Sequence, residues 1–111
     1  MDFAGELESV RNKLRAFRRR DVVLSRHNLI RIQQRFLSGD DLVCELLNPV
    51  GLFKLEKQPS EYAHESKYKL YFTGSNRLDL IIIAVFQNNH VEVITAYHKN
   101  RKIKPKYINR K

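Results

Sequence analysis

The sequence predicts an α+β domain: N-terminal helices packed on an antiparallel sheet of about four strands. Three observations carry that expectation. Apolar residues recur at helical spacing before Pro49, the period changes to two after it, and the last three strand-like runs are joined by tight turns.

Phe3, Leu7, Val10, Leu14 and Phe17 form one apolar stripe, which predicts a first helix over 2–19. Residues 22–24 read as an extended link. Ser25 is an N-cap candidate for a second helix over 26–37, with Leu29, Ile32, Phe36 and Leu37 inward and Gly39 as its stop. Asp40 or Asp41 would cap a short third helix through Leu47, ended by Asn48-Pro49. Strands are predicted at 52–55, 67–72, 78–86 and 91–97. Gly74-Ser75-Asn76 and Asn88-Asn89 provide the turns. Residues 78–86 are nearly all apolar, as in a central strand covered on both faces. In 67–72, Lys67, Lys69 and Tyr71 alternate with Tyr68, Leu70 and Phe72.

A chain of 111 residues suits one domain, read as an N-terminal helix (1–21), a core (22–98) and a basic tail (99–111). The lone Cys44 excludes an internal disulfide and is expected in the core. It points to a reducing, cytoplasmic setting, and the charged first twenty residues do not read as a signal peptide. No apolar run suits a membrane helix, so no membrane partner is expected.

Charge is the strongest compositional signal. Lys and Arg number 21 against 12 acids, a net charge of +9. Six cations fall in 11–20 and seven in 98–111, both without an acid. Such clustering is the footprint of a polyanion, above all RNA or another nucleic acid. The plain alternative is a solvated basic surface.

Catalytic signatures are few. No Gly-rich phosphate loop, CxxC, HExxH or GxSxG is present, and His27, His64, His90 and His98 lack metal-ligand spacing. Neither a metal nor a cofactor is expected. What remains is SRHNLIRIQQR, in which His27, Arg31 and Arg35 recur every four residues. They form one helical stripe, nearly opposite Leu29, Ile32 and Phe36. Guanidiniums are shaped for phosphate, and an imidazole exchanges protons near neutrality.

The chain resembles the RelE- and BrnT-related toxin-like domains of the metal-independent ribonuclease superfamily that groups barnase, EndoU, the colicin ribonucleases and RelE (the BECR fold). Three pieces carry the resemblance over about residues 22–98. They are SRHNLIRIQQR, then DDLVCELLNPVGLF, then a sheet closing on VITAY after RLDLIIIAVF. The resemblance implies helices on a four-stranded antiparallel sheet and RNA cleavage by the neighbouring 2′-hydroxyl. Carried over position by position, it implies roles for His27, Arg31, Thr95 and Tyr97. It departs from the family at Asn28, where a small residue is usual. It also brings a protein antitoxin or inhibitor into view as a partner.

The expected site is therefore His27 as base or acid, Arg31 as phosphate clamp, Tyr97 or His98 as the other proton carrier, and Thr95 beside them. Arg26, Arg35, Lys99, Arg101, Lys102 and Lys104 would hold flanking phosphates. Strict alternation puts Val91, Val93, Thr95 and Tyr97 on one face, so the last strand would start in the core and end at a cleft rim. Two other readings explain the charge: a non-catalytic nucleic-acid-binding module, and a toxin-like scaffold kept for protein interaction through the Phe3–Phe17 helix.

Overall fold

The computed structural model describes residues 3–35, 37–60, 62–74 and 78–100. Three helices, α1 (Phe3–Ala16), α2 (Arg26–Gln34) and α3 (Gly39–Leu47), lie against one face of a five-stranded sheet. The strands are β1 (Val22–Leu24), β2 (Leu52–Gln58), β3 (Ser66–Thr73), β4 (Leu78–Phe86) and β5 (Val91–Asn100), in the order β1-β5-β4-β3-β2. The α+β class and the antiparallel meander of β2 to β5 are as predicted. The sheet is nevertheless mixed, because residues 22–24 are a strand rather than a link and pair parallel to Val91–Val93. A three-residue strand whose partner lies at the far end of the chain has no local sequence signal.

The core joins Leu7, Val10 and Leu14 of α1 to Ile32, to Leu42 and Leu46 of α3, and to the inward side of the sheet. The N-terminal helix thus shares the core. It ends at Ala16, earlier than its apolar stripe implies. A 3-10 turn over Arg19–Asp21 follows, fixed by the Arg18 amide donating to the Asp21 carboxylate (2.8 Å).

α2 ends at Gln34, with Arg35 as its C-cap. Gly39 does not stop this helix but opens α3, and the cap is Ser38, whose hydroxyl accepts from the Asp41 amide (3.3 Å). A Cβ at residue 39 would meet Leu29 Cδ1 at 2.9 Å, so glycine lets α3 begin tightly against α2. Asp40 and Asp41 occupy the first turn, where carboxylates favour the positive helix end. Cys44 is exposed, contrary to the core expectation; Leu42, Val43 and Leu46 fill the inward side of α3. Phe36 lies outside the described residues.

β2, β3 and β5 run longer than their apolar patterns suggested, because polar and charged residues continue each ladder. β4 is the middle strand, but helices cover only one of its faces. Among the described residues no helix is long and apolar enough to cross a membrane.

Candidate nucleic-acid interface

The face away from the helices follows from strand register, since paired residues point the same way. Four rows cross it. The first is Val23, Glu92, Val85, Lys67 and Gln58; the second is Thr95, Ile83, Lys69 and Glu56. The third is Tyr97, Ile81, Tyr71 and Lys54; the fourth is Lys99, Asp79 and Thr73. Ile81 is fully buried between its two tyrosine neighbours, so this open face has an aromatic floor, around which Lys54, Lys67, Lys69 and Lys99 alternate with Glu56, Asp79 and Glu92.

A β-bulge creates this arrangement. The β4–β5 register shifts between Ile83 and Ala84, so Val93 pairs with Ala84 whereas Thr95 pairs with Ile83. The extra residue reverses the alternation. Val91 and Val93 therefore point into the core, and Thr95 and Tyr97 point to the open face. The expectation of one shared face is overturned, and the hydroxyl-bearing end of β5 is placed wholly outside the core. His98 pairs with Leu80 on the helix-facing side. His98 and Tyr97 therefore lie on opposite faces of the sheet, not together at one rim.

Arg35 connects the helix to this face. Its guanidinium Nη1 donates to Thr95 Oγ1 (2.7 Å) and to the Ala96 carbonyl (3.0 Å), and its Cζ stands 5.8 Å from the Tyr97 ring centroid. Asn28, seven residues earlier on the same side of α2, donates its amide to the Val93 carbonyl (3.0 Å). These two residues seat α2 along the β5 edge beyond the short β1. His27, Arg31 and Arg26 are exposed on α2 and make no hydrogen bond or ion pair among the described residues. Of the predicted residues, the structure brings Arg35, Thr95 and Tyr97 into direct contact and leaves His27 and Arg31 outside that contact. Lys99 is exposed on the open face; Arg101, Lys102 and Lys104 lie outside the described residues.

A second cluster occupies the β2–β3 side. Lys54 and Lys69 stand 4.9 and 5.3 Å from the Tyr71 ring centroid. The Tyr71 phenol donates to Glu56 Oε1 (2.9 Å), and Lys54 pairs with the other carboxylate oxygen (3.6 Å). The Tyr71 hydrogen bond, aided by Lys54 and Lys69, holds Glu56 below the usual carboxylate range. Lys69 is pushed up by its bond to Tyr71, and also by the fields of Tyr97, Tyr71 and Glu56. Tyr71 and Tyr97 flank Ile81 in one cross-strand row, which puts the two clusters side by side on the open face. The alternation of Lys67, Lys69 and Tyr71 was visible in the sequence, but only the register shows that they share a face with Thr95 and Tyr97.

The N-terminal cation run is less available than its composition suggests. Arg11 pairs with Glu8 and donates to the Leu52 carbonyl, and Arg15 bonds Asn12 and Glu8. Lys13 stands over Phe86 (5.9 Å) and Arg19 pairs with Asp40. Those cations serve the fold.

No cluster of three or more His, Cys, Asp or Glu suited to a metal ion occurs among the described residues. Comparison with protein-family models, with curated proteins and with solved structures finds no match to this chain.

Proposed function

We propose that this protein is an RNA-binding domain whose ligand lies single-stranded across the open face of the sheet. The observation that carries the reading is Arg35 fixed by Thr95 and Ala96 against the Tyr97 ring, at the end of a face that also presents Lys67, Lys69 and Lys99. A guanidinium already oriented by two acceptors keeps its remaining N–H groups for phosphate and loses little freedom on binding. A flat aromatic and basic sheet suits splayed bases and a tracked backbone. Fluorescence anisotropy with a labelled single-stranded RNA tests it. Arg35→Ala should weaken binding by roughly tenfold or more, the usual worth of a charge-assisted hydrogen bond. Unchanged affinity would overturn the reading.

The Tyr97 ring beside Arg35, with Lys69 in the adjoining row of the same face, favours a second, sharper reading: this face cleaves the RNA that it binds. The 2′-oxygen would attack the adjacent phosphorus after losing its proton to a base. Arg35 and Lys69 would hold the charge of the phosphorane, and an acid would protonate the leaving 5′-oxygen. Tyr97 stands beside Arg35, and His27 supplies an imidazole from the exposed flank of α2. Incubation of RNA with the protein in EDTA should then leave a 2′,3′-cyclic phosphate. Tyr97→Phe and His27→Ala should each slow single-turnover cleavage by roughly 10²–10⁴. Binding without cleavage by the wild type would leave the binding module alone standing.

A further inference from the structure

Beyond the Thr95 row, at the other end of the open face, lies a cavity of about 420 Å³. Its floor is Val85, with Lys67 and Glu92 on either side in the same cross-strand row. Tyr62, Glu65 and Gln87 complete its wall. We propose that this cavity is a nucleobase subsite that selects guanine within the RNA bound on the open face, an inference that rests on the RNA reading above.

The argument is one of donors and acceptors. Glu65 is already engaged, accepting from the Ser60 hydroxyl (3.0 Å) and from the Gln87 side-chain amide (3.4 Å). That bond uses the donor end of Gln87 and leaves its carbonyl oxygen as an acceptor. Glu92 makes no hydrogen bond or ion pair among the described residues, so its carboxylate is a second acceptor. Across Val85, at two strand spacings or roughly 10 Å by backbone, Lys67 is a donor. The two oxygens of the Glu92 carboxylate thus ask for adjacent donors on one side, and Lys67 asks for an acceptor on the other. Guanine has that edge, with O6 followed by N1–H and the N2 amino group. Uracil has a single N–H between two carbonyls, and adenine and cytosine each present one amino group beside a ring acceptor. Tyr62, 56% exposed at the rim, offers a ring on which the base can stack. The volume falls within the range of small-molecule sites and exceeds what one base needs.

The test uses the full chain and short labelled 2′-O-methyl oligouridylates, which resist cleavage, with a single central guanine, adenine, cytosine or uracil. The guanine oligonucleotide should bind about tenfold more tightly than the others. Glu92→Gln should erase that preference while leaving oligouridylate affinity at or above the wild-type value, because a negative charge leaves the face. Tyr62→Ala should weaken all four, because stacking is tolerant of sequence. Equal affinities in the wild type, or a preference that survives Glu92→Gln, would overturn the subsite and leave the RNA reading intact. Failure of every oligonucleotide to bind at low salt would remove both.

Discussion

Arg35 shows how one side chain ties the fold to its proposed work. It caps α2, closes the β5 edge through Thr95 and Ala96, and presents its charge beside Tyr97. Lysine has one nitrogen and cannot reproduce that fork. Arg35→Lys should therefore keep the charge yet recover only part of the RNA affinity lost in Arg35→Ala. Full recovery in anisotropy titrations would show that charge alone matters there. Tyr68 acts on the other side of the sheet. Its ring packs edge-on to Phe86 (5.7 Å) and its phenol donates to Glu6 (2.9 Å), binding α1 to β3. Burial first, then the Glu6 hydrogen bond and charge, push its pKa up to about 12. That lies above the unfolded value of about 10. The stability associated with neutral Tyr68 is thus complete below about pH 10 and is lost as the pH rises through about 12. Tyr68→Phe should cost about 1 kcal/mol at neutral pH and flatten that part of the alkaline decline. Urea melts from pH 8 upward, compared with wild type, check both; an undiminished decline in the variant would contradict the assignment.

At the scale of elements, the bulge in β5 and the cap of α3 decide where side chains point. Ser38→Ala should destabilise the protein by about 1 kcal/mol, because the Asp41 amide loses its acceptor at a helix start that packs on the core. A denaturation midpoint equal to wild type would show that Asp40 or Asp41 serves instead. What the sequence made legible here follows from local physics. Period-3.6 stripes gave three helices, and period-2 runs with Asn-Asn and Gly turns gave the meander. Two things were not legible. β1 depends on a parallel partner distant in the chain. The β5 bulge adds one residue to an otherwise regular alternation, and nothing in Ile94-Thr95 announces it. The site inherited both errors. Strict alternation puts Thr95 and Tyr97 on the valine face and groups His98 with Tyr97, whereas the register puts Thr95 and Tyr97 on the open face and His98 on the other side. The sequence puts Lys67, Lys69 and Tyr71 on one side of their strand but does not say what they face, since cross-strand register is a property of the fold.

For the whole molecule, the central feature is where the cations of the described residues lie. On the helix side, Arg11, Arg15 and Arg19 are paired with Glu8 or Asp40. On the open side, Lys67 and Lys69 lie on an aromatic and aliphatic floor that no helix covers. If this face grips RNA, location must matter more than total charge. The most direct test compares two double variants of identical net charge. Lys67→Gln/Lys69→Gln strips the open face, and Lys57→Gln/Arg15→Gln strips exposed cations from the helix-facing side of β2 and from α1. Affinity for a labelled single-stranded RNA is then measured as a function of salt. The open-face variant should bind at least about tenfold more weakly, and its log–log salt slope should fall by roughly 1.4, the value for two lost phosphate contacts on a single strand. The helix-side variant should stay near wild type in both. Equal weakening of the two variants, or greater weakening of the helix-side one, would contradict the account.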